Sequence, residues 1–379
     1  MATPQERPSQ PSLPWRITSA VNVGVVGFLC RSFLYAFNHT HVRGLDQFLE
    51  LLDRRRDEQT RTKGLITVSN HVSVLDDPLI WGVLPNRYFW NPNNMRWSLG
   101  SHDICFKNKL LEAFFSYGNT LPTHRAAHSR FGGVFQPTIT QAIRLLSDPH
   151  APSGESVVWR PADADPPTLP TSSPPPDPFT ANQLTYSTTG SDRFPAPAAY
   201  PSRRFSWVHI FPEGMIHQHP DKPCPDVLPM WIDGPQHVMD NNRPWPRPLP
   251  RAGQEISITF GDPVDTDEVF EPFRRRWRQL KEKTRRQRLG ERRSDERSST
   301  QEALGELQDE DLRYGEEAEQ LRIDVTLAVR NEVLKVRRSL GLPDEDPKRG
   351  LAETFRAEGG REPTREPETK KDGSVVQDW

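Results

Sequence analysis

The chain has 379 residues, a formal net charge of −2, 26% charged residues and 34% hydrophobic ones. Length alone would allow two ordinary domains, but 38 prolines and so small an apolar share place much of the chain outside any packed core. Near-neutrality argues against a polyanionic partner such as nucleic acid, and the widely spaced Cys30, Cys105 and Cys224 form neither a disulfide framework nor a metal-ligand cluster.

The first fourteen residues are polar and Pro-rich, unlike a secretory signal or an Arg-rich, acid-free transit peptide. Ile17 to Cys30 is the most apolar run, bracketed by Arg16 and Arg31. As helix it would span about 21 Å, short of a hydrocarbon core of about 30 Å. Two readings are open. One is an interfacial helix over 15–37, anchored by Val21, Val25, Val26, Phe28 and Leu29, with the arginines snorkelling to headgroups. The other is a buried core helix.

Residues 44–61 predict a polar helix with Leu45, Phe48, Leu51 and Leu52 on one face. Gly64 to Ser69 predicts a short buried strand. Asp77-Pro78 predicts a helix start, with aspartate as N-cap and proline in the first turn, and Leu79 to Leu84 as the helix. Residues 98–146 alternate apolar helix-like and loop segments. Residues 151–204 hold a dozen prolines and many Ser and Thr residues, which predicts a disordered insertion. Strands are expected at Trp207–Phe211, Asp226–Ile232 and Glu255–Phe260. After Gly261 the core signal fades. Arg274 to Arg297 reads as a solvated basic helix or a segment attracted to anionic lipid. Residues 316–340 read as helix, with Leu321, Val325, Ala328, Val329, Val333 and Val336 at helical spacing, and the end of the chain as a charged, disordered tail.

Candidate chemistry begins at Asn70-His71-Val72-Ser73-Val74-Leu75-Asp76-Asp77-Pro78. An imidazole beside a carboxylate can take a proton from an alcohol, as acyl transfer to a hydroxyl requires. The bare spacing arises easily by accident, and in a straight helix residues five apart lie about 140° out of register. The pair can meet only if His71 lies in the strand-to-helix turn and Asp76 curls back beneath it. The competing reading is a structural histidine with Asp76 and Asp77 as caps. Two further pieces are weak alone: Phe211-Pro212-Glu213-Gly214, directly after a strand, and Gly118-Asn119-Thr120-Leu121-Pro122-Thr123-His124-Arg125, ending in an arginine suited to phosphate. His217 and His219 lack a nearby third ligand, so no metal is expected.

Together and in this order, the three pieces resemble the glycerolipid acyltransferase family. The resemblance extends to Asn70 through Gly82, Asp103 through Asn108, Trp207 through Gly214, and Pro229 through Ile232 followed by Gly234. It covers about residues 12–265, outside the Pro-rich insertion. It implies a CoA-independent transacylase that moves acyl chains between phospholipids and lysophospholipids such as phosphatidylcholine, cardiolipin and monolysocardiolipin, the last as acceptor. It implies a monotopic enzyme on mitochondrial membranes, facing the intermembrane space, without a cofactor. His71 would deprotonate the lysolipid hydroxyl and Asp76 would orient it. Glu213, Gly214, Arg125, Asn70 and Ser73 would bind substrate. The rival activities are an acyl-CoA-dependent lysophospholipid acyltransferase and an impaired membrane-binding homologue. The last follows from a departure: between Glu213 and Cys224 the family carries a further amphipathic segment, and here His217 to Pro220 runs almost at once into Pro223. A crossover helix is therefore expected to be lacking, so that the strands on either side could not be joined in the usual way.

The expected fold is α/β: a mixed, mostly parallel sheet flanked by helices, with an N-terminal membrane-interface helix and a disordered Pro-rich insertion. One acyltransferase domain would occupy 15–150 and 205–270, interrupted by 151–204. A charged helical extension at 271–345 and disordered ends at 1–14 and 346–379 would complete the chain.

Overall fold

A computed structural model describes residues 13–91, 94–125, 133–147, 185–187, 193–195, 205–211, 224–239, 249–291, 307 and 309–344. Its first half runs α1 (Leu13–Phe37), β1 (His39–Arg43), α2 (Leu45–Arg54), β2 (Leu65–Ser69), α3 (Asp76–Gly82), β3 (Trp97–Ser101), α4 (His102–Cys105), α5 (Lys109–Tyr117), β4 (Thr120–Thr123) and α6 (Pro137–Leu145). Then come β5 (Thr185–Ser187), β6 (Arg193–Pro195), β7 (Trp207–Ile210), β8 (Asp226–Asp233), α7 (Pro235–Val238), β9 (Glu255–Phe260), α8 (Thr266–Glu291), α9 (Glu310–Tyr314) and α10 (Glu316–Ser339).

Seven strands form one sheet in the order β1-β9-β8-β2-β7-β3-β4. All neighbours are parallel except β8 and β9, which pair antiparallel with Met230 opposite Phe260. The central strand β2, LITVS, is buried at every position, as a parallel strand covered on both faces must be. Alternate residues of the sheet feed two cores. Leu65, Trp207, Leu228 and Met230 meet α1, α2 and α3, whereas Ile66, Val68, Val208 and Val227 meet α6, α8 and α10.

Four expectations change. The segment read as a charged extension covers the second face: Phe270 of α8 and Val333 and Val336 of α10 are buried in its core. The helical spacing of apolar residues over 316–340 was legible, but the face of the sheet that they cover was not. β3 and β4 lie where helices and loops were expected, because WSLGS and TLPT are short and carry Gly100 and Pro122; β4 is an edge strand, where proline is tolerated. The helix expected over 44–61 ends at Arg54, two residues past its last buried apolar residue, Leu52. Finally, β7 and β8 flank β2, both parallel to it, with Leu65 opposite Trp207 on one side and Asp226 on the other. Residues 211–225 thus connect two strands that run parallel to each other, and their number meets the dozen or so residues that such a connection needs, contrary to the expectation that the strands could not be joined in the usual way. Residues 212–223 lie outside the described residues, as does most of the Pro-rich insertion, within which β5 and β6 pair antiparallel.

The apolar run near the N-terminus extends well beyond Cys30, giving a helix of 25 residues, about 37 Å long at 1.5 Å per residue. By length and composition it could cross a membrane. One side is docked along the domain. Ser19 Oγ donates to Tyr117 O at 2.7 Å and Asn22 Nδ2 to Phe114 O at 3.0 Å. Gly24 and Gly27 lie so close to Trp90 and Phe89 that a Cβ would fall within 2.7 Å of either ring. Leu13, Ile17, Val21, Val25, Phe28, Leu29 and Phe37 are exposed, while Val26 is half-buried. Arg31 does not snorkel: its Nη1 donates to Val83 O at 2.8 Å and Leu84 O at 3.1 Å, closing the C-terminal end of α3.

Candidate active site

The site is built at the carboxyl end of β2, where open α/β sheets place their ligands. Asn70 fixes the corner: its Nδ2 donates to Ile232 O and its Oδ1 accepts from Ile232 N, both at 2.8 Å. Its amide is thereby committed to β8. Beside the substrate role expected of Asn70, the side chain clamps the corner. Ser73 is likewise a turn builder, buried, with Oγ facing Leu75 N at 3.4 Å.

Released from β2, the chain wraps around the carboxylate of Asp76. Asp76 Oδ2 accepts from Val72 N, from Ser73 N at 2.8 Å, and lies 2.8 Å from His71 Nδ1. Asp76 is therefore the first residue of α3 with its side chain turned back into the loop. The expected cap at Asp77 is not formed: Leu75 precedes the helix, with no side-chain cap. Asp76 is fully buried, while the His71 side chain is 29% exposed. With Nδ1 held by a carboxylate, the neutral imidazole carries its proton there and presents Nε2 as an acceptor. Among the described residues nothing hydrogen-bonds Nε2. Val72 and Val74, in the same turn, carry exposed apolar side chains (38% and 54%).

Asp77, the next residue, faces the interior. Arg96 binds it with Nε at 3.1 Å and with Nη2, and Trp81 Nε1 donates to it at 3.1 Å. Burial works to raise the Asp77 pKa, but the charge and hydrogen bonds of Arg96, with the Trp81 hydrogen bond, outweigh it and hold the carboxyl below the usual range. His209 of β7 is buried, with Nδ1 2.9 Å from Thr67 Oγ1. Burial pushes its pKa down to about 3, so this imidazole is neutral. Phe211, one residue past β7, stacks on His71 with centroids 4.1 Å apart and planes 20° apart. The two-residue alternation of Trp207, His209 and Phe211 was the available sequence signal for this wall; Arg96 left none.

Arg125 follows β4 and binds Asp103 of α4 through both Nε (3.2 Å) and Nη2. Ser101 Oγ donates to the same carboxylate at 2.6 Å. Partial burial would raise Asp103, but these hydrogen bonds and the Arg125 charge hold it below the usual carboxylate range. Arg125 is thus already paired. Glu213, Gly214, His217 and His219 lie outside the described residues. Among the described residues no group of three or more His, Cys, Asp or Glu side chains could hold a metal.

A buried aspartate orienting a half-buried histidine whose outer nitrogen is left open suits acyl transfer. The acyltransferase family model matches residues 32–144, which include His71, Asp76 and Arg125. The chain is a phospholipid acyltransferase. Tafazzin from Saccharomyces cerevisiae is 31% identical to it over 88% of this chain and 81% of the yeast protein. Tafazzin from Drosophila melanogaster is 25% identical over 70% of this chain and 56% of its own length. The chain belongs to the tafazzin family. It is also similar to N-acylphosphatidylethanolamine synthase from Arabidopsis thaliana, at 35% identity over 61% of this chain and 64% of that protein. The solved acyltransferase PlsC from Thermotoga maritima overlaps it with a TM-score of 0.33 and 16% identity, covering 74% of this chain and 83% of that one, too slight a likeness to bear on the fold.

Proposed function

We propose that this protein is a CoA-independent transacylase that moves acyl chains from phospholipids such as phosphatidylcholine or cardiolipin to lysophospholipids, with monolysocardiolipin as acceptor. The observation that carries the reading is the His71–Asp76 pair, with Nδ1 tied to a buried carboxylate and Nε2 open. His71 takes the proton of the lysolipid hydroxyl as its oxygen attacks the donor ester, and later returns it to the leaving alkoxide. Asp76 holds the tautomer and balances the imidazolium. Arg125 and Glu213 seat the phosphate and glycerol portions, and Gly214 contributes to substrate binding. No cofactor enters this scheme.

The working surface is a membrane, through α1. Its exposed side, including Val21, Val25, Phe28 and Leu29, lies in the interface while the opposite side stays docked on α3 and α5. Leaving the domain to span a bilayer would break the contacts of Ser19, Asn22, Gly27 and Arg31. Family membership supports placing this surface on a mitochondrial membrane, and we place it on the intermembrane-space face.

Purified protein supplied with lysocardiolipin and phosphatidylcholine, without CoA, is expected to yield re-acylated cardiolipin. No transfer until acyl-CoA is added would overturn the reading, and an amide product would point to an amine acceptor. A second reading, a membrane-bound relative with impaired transfer, rests only on the segment after Glu213 that the family carries and this chain was expected to lack, since residues 211–225 suffice to connect the strands. Activity that appears only after a crossover helix is inserted between Pro220 and Pro223 would support it.

A further inference from the structure

An aromatic row runs from the core of the domain to the imidazole of His71. Phe48 lies edge-on to Trp207 at 5.4 Å, Trp207 edge-on to Trp81 at 4.6 Å, and Trp81 edge-on to His209 at 4.9 Å. His209 lies edge-on to Phe211 at 4.8 Å, and Phe211 stacks on His71. Polar threads stiffen the row from the side: Trp207 Nε1 donates to Thr67 Oγ1 at 2.8 Å, and that hydroxyl sits 2.9 Å from His209 Nδ1. Trp81, Trp207 and His209 are all buried, whereas Phe211 is half-buried and stands where the chain leaves the sheet.

The hydrogen bond to Asp76 fixes one atom of the His71 ring. It leaves the ring free to swing about the line joining Nδ1 to the carboxylate oxygen, and that swing carries Nε2 through an arc. A second ring lying nearly flat against the imidazole removes this freedom. The braced Phe211 also offers an aromatic face to the imidazolium that forms when His71 takes a proton.

We propose that Phe211 is a positioning residue for proton transfer: its ring, braced by His209 and Trp81, sets the plane of His71 and hence the location of Nε2. The proposal rests on the reading of His71 as the base. It makes the phenylalanine of the Phe-Pro-Glu-Gly corner part of the proton-transfer geometry, separate from any substrate contact of Glu213.

The test compares wild type, Phe211→Leu, Phe211→Tyr and His71→Ala as full-length proteins on phosphatidylcholine vesicles containing lysocardiolipin. Phe211→Leu is expected to lower kcat about 10- to 100-fold, the scale of a misplaced reacting group, with KM and vesicle binding within about twofold of wild type. Phe211→Tyr keeps the stacked face and is expected to restore kcat. A folded Phe211→Leu protein with wild-type kcat, or a folded Phe211→Tyr protein as slow as Phe211→Leu, would overturn the proposal. His71→Ala separates the two readings: an active His71→Ala protein refutes the base assignment, whereas an inactive one beside a fully active Phe211→Leu protein refutes only the positioning role. If Phe211→Leu does not fold, the wild-type NMR spectrum decides. The carbon-bound ring protons of His71 should be displaced upfield by a phenyl face, and ordinary shifts there would sink the proposal.

Discussion

The rim of the sheet carries two carboxylate pairs that are built differently. At the β2–α3 corner, Asp76 is fully buried and its partner His71 keeps one nitrogen open. At the β3–β4 rim, Asp103 and Arg125 are both about a third exposed (34% and 32%) and close on each other through two hydrogen bonds. The difference is one of readiness. The first pair has spare capacity on the side that faces out, so it can act on a substrate without rearranging. The second has its fork filled by a carboxylate, so it can grip a phosphate only by exchanging one anion for another or by offering its remaining Nη1 donors.

The largest effects are expected at the open pair. His71→Ala should reduce transfer by about 100- to 10,000-fold, the usual range for a lost general base, while vesicle binding survives. Wild-type rates in this variant would erase the contrast between the two pairs. Asp76→Asn should fall in the same range, because an amide no longer enforces the proton on Nδ1. It should also lower the melting temperature, since Val72 and Ser73 donate to this carboxylate; His71→Ala should leave that temperature nearly unchanged. Measuring rate and melting temperature together separates the chemical role of the corner from its structural one.

Smaller effects, and of opposite sign, are expected at the closed pair. Arg125→Gln should raise KM about 3- to 10-fold with little change in kcat, as for a charged contact in partly solvated surroundings. Asp103→Asn should release the guanidinium and leave KM unchanged or lower, at low salt most of all. If Asp103→Asn instead mimics Arg125→Gln, the pair is a structural brace between α4 and β4, and the phosphate must be held elsewhere.

How much of this was legible in the sequence depends on where each interaction closes. The strands 65–69, 226–233 and 255–260 could be read because each is a run of β-branched or apolar residues between turn signals. The turn at His71 could be read because its partner lies five positions away. Arg96 could not be assigned: its role depends on β3, whose sequence WSLGS gives no strand signal of its own, and on Asp77 nineteen positions earlier. The partner of Arg125 was hidden for the same reason, since Asp103 lies across two elements. The apolar stripe of α10 could be read from the spacing of Leu321, Val333 and Val336, but its partner could not, because the strands that it covers lie far earlier in the chain.

Behind the open corner lies a histidine of another kind, and its titration gives the subtlest test of the contrast. Burial holds the pKa of His209 near 3, Asp77 pulling the other way and Arg96 and His71 adding to the fall, against 6.5 for the free side chain. Because the folded value lies below the unfolded one, the unfolded chain binds the proton first. The stability contributed by a neutral His209 is fully present above about pH 6.5. It is lost as the pH falls toward 3, by about 1.4 kcal/mol per pH unit within that window. Asp77 and Asp103, held below the usual carboxylate range, withdraw their contributions only as the pH drops below about 4, the unfolded aspartate value. Between pH 6 and 4.5 the histidine therefore acts with little interference from these two acids. His209→Phe keeps an aromatic ring in the row but cannot take a proton, so the difference in unfolding free energy between wild type and variant should shrink or reverse as the pH falls across this range. A difference independent of pH would mean that His209 is accessible to protons in the folded protein, and the aromatic wall behind His71 would then be looser than the stacking distances imply.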